Sequence, residues 1–217
     1  MHGIKVEGII LKRRNLGEAD RILTVLTLQK GKISVLAKGV RRIASRRAGN
    51  VELLNRCLLY LHQAKTFLIL TEASSIDTYQ KLKEDLTLST YAFHIIELVD
   101  KLTAENQENS ILYENLVYVL QKLSRNPRQI FVRAFEAKIL SLMGFVNFQE
   151  GLQLDGVNIK IINLLKSLES MSWDGIEKLK IEEKEAMELE RILRYHLEKV
   201  IEGSLKSRKF LKDVKNE

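Results

Sequence analysis

The sequence predicts an α+β protein: a small five-stranded β-barrel in residues 1–80, then an all-helical domain in residues 81–217. Two observations carry this. Apolar residues recur with period two, in short segments punctuated by glycine, up to about residue 76, and with helical period after about residue 80. Charge divides at the same place. Residues 1–80 hold 14 Lys and Arg against 6 Asp and Glu, whereas the remainder holds 21 against 22. At 45% hydrophobic and 29% charged, the 217-residue chain is too apolar for disorder and can fill a core.

The first strand is expected over Ile4–Lys12, with Gly8 as a candidate bulge. Ile22–Leu28 and the strand of Ile33, Val35 and Ala37 should form a hairpin across Gln29-Lys30-Gly31. In that third strand Lys32, Ser34 and Lys38 give a basic outer face. Leu53–Gln63 and Phe67–Glu72 make a later pair joined at Ala64-Lys65-Thr66, and the alternation of Phe67 with Ile69 places Phe67 in the core. Five short strands are too few for a sandwich and enough for a closed barrel of the oligonucleotide-binding (OB) type. In such a barrel the long connection Arg41–Asn50 would lie beside the binding face.

The helical half begins with Ala92, Ile95, Ile96, Val99 and Leu102, followed by Leu112, Leu116, Val119, Leu120 and Leu123. A third helix is expected with Asn126 as N-cap, Pro127 at its first position and Gly144 past its end. Its inward face would include Ile130, Phe131, Ala134 and Ile139. A weaker helix is expected over Ile159–Leu168. A long one, from Glu182 to Glu202, would bury Ala186, Leu189, Leu193, Leu197 and Val200 before Gly203.

Lys38, Arg41, Arg42, Arg46 and Arg47 lie together with no acidic residue among them, and Lys12-Arg13-Arg14 belongs to the same basic third of the chain. A single basic run reads as a solvated loop; two in one segment point to a polyanion, of which nucleic acid is the usual one. Arg41, Arg42, Arg46 and Arg47 are the expected phosphate clamp, since a guanidinium pairs with two phosphate oxygens at once. Lys12, Arg13, Arg14, Lys32 and Lys38 would form the flanking track. Arg21 is a weaker candidate, because Asp20 beside it offers a pairing partner. Residues 1–80 contain only Tyr60, Phe67 and Tyr79 as aromatics, so base stacking is expected to be minor and the backbone to be read by charge.

Catalytic and metal chemistry find no constellation. His2, His62, His94 and His196 show no metal-site spacing, and Cys57, the only cysteine, alternates in phase with Leu59 and Leu61 as a small buried hydrophobe. One cysteine also excludes a disulfide framework and a four-cysteine zinc site. The Glu182-Glu183-Lys184-Glu185 run reads as an acidic helix start, and Gly31-Lys32 has no helix following it to make a phosphate-binding loop. No cofactor, metal or small-molecule substrate is expected. No apolar stretch approaches the roughly 20 residues of a membrane span, and Met1 to Lys5 do not open a secretory signal. The expected location is the cytoplasm.

Val6-Glu7-Gly8, Gly17-Glu18-Ala19-Asp20-Arg21, Gly31-Lys32, Lys38-Gly39-Val40-Arg41-Arg42, Gly144-Phe145 and Leu205-Lys206-Ser207-Arg208-Lys209-Phe210-Leu211 occur in this order along nearly the whole chain. Together they resemble the bacterial RecO family of recombination mediators. The resemblance implies an OB barrel followed by a helical domain, and binding of single- and double-stranded DNA near the nucleoid. It also implies annealing of complementary strands, partnership with RecR, and recognition of the acidic C-terminal tail of single-stranded DNA-binding protein during recombinase loading. Many members carry a four-cysteine zinc module after the position of Gly144-Phe145; the segment Val146–Lys160 has no cysteine. Two other readings of the basic half stay open: an RNA- or ribosome-binding barrel, and an adaptor for an acidic protein. In the C-terminal segment, Lys206, Arg208 and Lys209 suit a helix end as well as DNA, and Phe210 and Leu211 are expected to dock it.

Overall fold

The computed structural model describes residues 3–150 and 158–201. Five strands, β1 (Gly3–Leu16), β2 (Asp20–Thr27), β3 (Gly31–Ala37), β4 (Arg56–Gln63) and β5 (Leu68–Asp77), close into a barrel in the order β1-β2-β3-β5-β4. All neighbours are antiparallel except β3 and β5, which meet in parallel at Val35–Leu68 and Leu36–Ile69. Inward residues alternate with outward ones: Val6, Ile10, Leu23, Val25, Ile33, Val35, Cys57, Leu59, Leu61 and Leu70 fill the interior.

The β2–β3 hairpin turns as expected. Gly31 sits at φ 65°, in the left-handed region, and the Thr27 hydroxyl donates to the Gly31 carbonyl at 2.8 Å. The bulge is elsewhere than expected. Register slips between Ile10 and Lys12, while Gly8 pairs regularly with Thr27 on one side and Cys57 on the other. Gly8 answers a steric demand instead: a Cβ there would lie 2.5 Å from Val25 Cγ1 and 3.0 Å from the Leu26 carbonyl oxygen. The slip lets β1 bend from one partner to the other.

Phe67 is 57% exposed, contrary to its expected place in the core. The inward residues of β5 are Leu68 and Leu70, which puts Phe67 and Ile69 on the outside.

The chain falls into two compact units, residues up to 84 with 99–114, and 85–98 with residues from 115 onward. The helices are α1 (Gln80–Glu84), α2 (Leu86–Leu102), α3 (Ser110–Arg125), α4 (Gln129–Leu142), α5 (Ile159–Ser170), α6 (Trp173–Lys178) and α7 (Glu183–Ile201). Every apolar residue expected on the inward faces of α2 and α3 is buried. On α4, Phe131, Ala134 and Ile139 are buried and Ile130 half-buried. On α7, Leu189, Leu193 and Leu197 are buried, joined by Ile192.

The start of α4 departs from expectation. Arg128 takes the N-cap position, with an extended backbone (φ −130°, ψ 130°), and Asn126 donates its side-chain amide to Glu177 Oε1 at 3.1 Å. Gly144, at φ 74°, ends the helix as expected, its N–H donating to the Ser141 carbonyl. The short helix α6 was not foreshadowed. Its Trp173 is buried and donates its indole N–H to Asn115 Oδ1 at 3.0 Å. Gly203 and the basic segment with Phe210 and Leu211 lie outside the described residues.

Candidate nucleic-acid interface

The basic segment after β3 is held in shape by bonds to main chain. The turn 17–19 between β1 and β2 provides two: the Arg41 guanidinium donates to the Gly17 carbonyl, and its backbone N–H to that of Ala19, both at 2.9 Å. Asp20 Oδ1 accepts the Gly39 N–H at 2.7 Å, so its carboxylate fastens this turn and does not pair with Arg21. Gly39 itself stands at φ 64°. Thus two of the glycine-bearing motifs singled out in the sequence hold each other.

Arg47 closes the other end. One of its nitrogens donates to the Lys38 carbonyl and another to the Leu70 carbonyl, each at 2.8 Å, with a longer contact of 3.4 Å to that of Thr71. Asn50 reinforces the segment, its side chain accepting from Ser75 and donating to the Arg46 carbonyl. The expected clamp therefore divides by role: Arg41 and Arg47 are half engaged in holding the backbone. Arg42 and Arg46 are exposed and make no side-chain hydrogen bond or ion pair among the described residues. Lys38 and Arg14 are likewise exposed and unpaired among the described residues.

The rest of the flanking track is drawn into the fold. Lys32 is only 7% exposed; its ammonium donates to the Asp100 carbonyl at 2.5 Å and lies 3.6 Å from that carboxylate. Lys12 approaches the same carboxylate at 3.6 Å, though its own side chain is largely exposed. Arg13 and Arg21 share Glu52, and Arg21 also donates to Asn15 Oδ1 at 3.3 Å. Pairing of Arg21 thus comes from a residue 31 positions away rather than from its neighbour. Each such pair removes free positive potential from the surface.

The barrel unit also holds buried and half-buried polar groups with structural work. Arg56 and the Tyr113 hydroxyl both donate to Glu7 Oε1, at 2.7 and 2.9 Å, and burial together with the Glu7 charge pushes the tyrosine hydroxyl far above its ordinary value. Burial likewise pushes the Cys57 thiol up to about 12, so it stays protonated, donating to the Asn50 carbonyl at 2.8 Å. A thiolate nucleophile is out of reach there.

In the helical unit, His94 Nε2 lies 2.6 Å from Glu136 Oε1, and Arg133 donates to Glu136 Oε2 at 2.6 Å. This buried group was not legible along the chain, since His94 and Glu136 stand 42 positions apart. Arg133 compensates a carboxylate that would otherwise be costly to bury. Among the described residues no group of three His, Cys, Asp or Glu is placed to hold a metal ion, and no helix is long and apolar enough to cross a membrane.

Comparison with known proteins bears on the two halves of the chain. Residues 1–79 match the family model "Recombination protein O N terminal" and residues 83–146 match "Recombination protein O C terminal". A DNA repair protein RecO of Acetivibrio thermocellus is 39% identical over 148 residues, which cover 67% of this chain and 59% of that relative. One from Pelotomaculum thermopropionicum is 33% identical over 65% of this chain and 55% of its own length. One from Desulforamulus reducens is 26% identical across 95% of this chain and 93% of its own length. The chain thus spans only 50–59% of the first four relatives it matches. With both terminal models matched in order on an OB-type barrel and a helical unit, the chain belongs to the recombination protein O family.

Proposed function

We propose that the protein is a non-enzymatic DNA-binding mediator of recombinational repair. It holds single- and double-stranded DNA by phosphate contacts, anneals complementary strands and helps load recombinase onto strands coated by single-stranded DNA-binding protein. Its working place is the cytoplasm, at the nucleoid. The observation that carries this reading is the division of the basic segment. Arg41 and Arg47 fasten the backbone, and Arg42, Arg46, Lys38 and Arg14 remain exposed for a polyanion. Preorganised cations lose less entropy on meeting phosphate than a mobile loop would. Lys32, already neutralised by Asp100, is left out of this track, and Arg13 and Arg21 contribute little beside Glu52.

Charge-led binding suits annealing, because it relieves repulsion between two backbones without sequence-specific readout of the bases. RecR and the acidic tail of single-stranded DNA-binding protein are the proposed protein partners. A cleft of about 300 Å³ in the helical unit has apolar walls from Ile130, Ile181, Ala186 and Leu189. Its guanidinium groups are engaged, Arg128 with the Glu177 and Leu179 carbonyls and Arg133 with Glu136 and Glu190, so it offers a partner apolar contact and no free cation.

The test is fluorescence-monitored annealing of complementary oligonucleotides, with affinity measured across salt. Arg42→Ala/Arg46→Ala should slow annealing and flatten the log–log salt dependence for single strands by about 1.4, at roughly 0.7 per lost phosphate contact. A wild-type protein indifferent to oligonucleotides at low ionic strength would reject the function; an unchanged slope in the variant would reject only the site.

A further inference from the structure

The outer face of β4 and β5 carries rings where a small isolated barrel should carry polar groups. Strand pairing fixes which residues share it. Tyr60 and His62 point the same way along β4, Ile69 stands opposite His62, and the Ala64 N–H donates to the Phe67 carbonyl, setting Phe67 opposite Ala64. From β1, Lys5 is the partner of Tyr60, its ammonium 5.6 Å from the ring centroid. From β3, Leu36 is the partner of Ile69. Phe67 is 57% and Tyr60 37% exposed. Gly3, opposite His62, has nothing within 4 Å of the place its Cβ would occupy, so the surface beside the rings is low and open.

Charge says what this face meets. Lys5 and Lys65 are exposed on it or at its turn, and at the β3–β5 side it is bordered by the basic segment, through the bonds of Arg47 to the Leu70 and Thr71 carbonyls. The acidic groups on the same two strands are Glu72, opposite Tyr60, and Asp77, opposite Arg56 at the far end of the pair. An apolar protein partner would favour a contiguous apolar centre. Here two rings stand about 13 Å apart along the strand, four residues at ~3.3 Å each, with a histidine and a lysine beside them. Separated rings among cations suit a chain of bases joined by phosphates.

We propose that Tyr60 and Phe67 are stacking platforms for unpaired bases, with Lys5 and Lys65 holding the intervening phosphates. This rests on the DNA binding proposed above and adds a discrimination that charge cannot supply. The basic segment treats single strands and duplexes alike, whereas the aromatic face engages only bases whose faces are uncovered. In a duplex they are stacked within the helix.

The experiment compares fluorescence anisotropy of a labelled 30-mer of oligothymidylate with that of a labelled duplex of equal length, across one common series of salt concentrations, for wild type, Tyr60→Ala, Phe67→Ala and Tyr60→Phe. The expected result is a single-strand Kd raised roughly tenfold by each alanine, with the duplex Kd and the salt slope unchanged, and full recovery in Tyr60→Phe. Equal losses on both substrates, or none on either, overturns the stacking proposal, whether the face is idle or serves a protein. A wild type that binds neither substrate fails the DNA-binding reading first, and the two failures are thereby distinct. Both rings are exposed, so thermal unfolding should be unchanged in the variants.

Discussion

The Arg47 guanidinium donates to the carbonyl of Lys38, nine residues earlier, and so ties the two ends of the basic segment together. The same side chain reaches the Leu70 carbonyl on β5. A single lysine ammonium retains the charge but lacks the planar fork that spans both acceptors. Arg47→Lys should therefore keep the salt slope of DNA binding while losing about 1 kcal/mol of stability in urea denaturation. If charge alone matters at this position, stability will be unaltered.

Lys32 offers the converse separation. Its ammonium is enclosed with Asp100, and replacing it by methionine leaves that carboxylate and a carbonyl short of a partner. Lys32→Met should cost about 2 kcal/mol, from a lost charge-assisted hydrogen bond, without altering the salt slope. A reduced slope at constant stability would place Lys32 among the phosphate contacts after all.

Gly8 and Gly31 should resist substitution for different reasons. At Gly8 the space is filled by Val25, and Gly8→Ala should destabilise by about 1–3 kcal/mol through overpacking. At Gly31 a Cβ would fall 1.8 Å from the Gln107 carbonyl oxygen, on a backbone already at positive φ. Backbone cannot step aside as a side chain can, so Gly31→Ala should be the more damaging. Chemical denaturation of the two variants ranks them.

His196 supplies a pH dependence. Burial, with Lys199 nearby, holds its imidazole below the ordinary 6.5; its Nε2 is buried with no hydrogen-bond partner among the described residues, and the ring meets those of Phe148 and Tyr195 edge-on. The folded state prefers the neutral ring, so the unfolded chain takes up the proton first as pH falls. Stability from this group is complete above about pH 6.5 and is lost below it. Urea midpoints between pH 7.5 and 5 should fall more steeply for wild type than for His196→Leu; parallel curves would show the ring to be solvated.

The barrel and the helical half were legible because period and glycine punctuation are local signals. Phe67-Leu68-Ile69-Leu70 hid its phase for the opposite reason: four consecutive apolar residues contain no polar member to say which side faces water. The capping error at Asn126 has a similar origin, since its side chain finds Glu177, 51 positions away, and the helix begins three residues later. Within the candidate site, the sequence shows the cations but not their partners. Nothing local to Lys32 announces Asp100, nor anything near Arg13 and Arg21 their shared Glu52. Which positive charges stay available is decided by long-range partners, and a reading along the chain counts them all.

The parallel join of β3 and β5 has a consequence for any ligand. It spans just two registered pairs, and Arg47 braces it from the Leu70 side. A phosphate that recruited Arg47 would have to pry it from carbonyls guarding the weakest seam of the ring, whereas Arg42 and Arg46 can turn outward without loosening anything. On the proposed reading, grip and integrity belong to different arginines, so taking hold of a strand and letting it go would leave the scaffold shut.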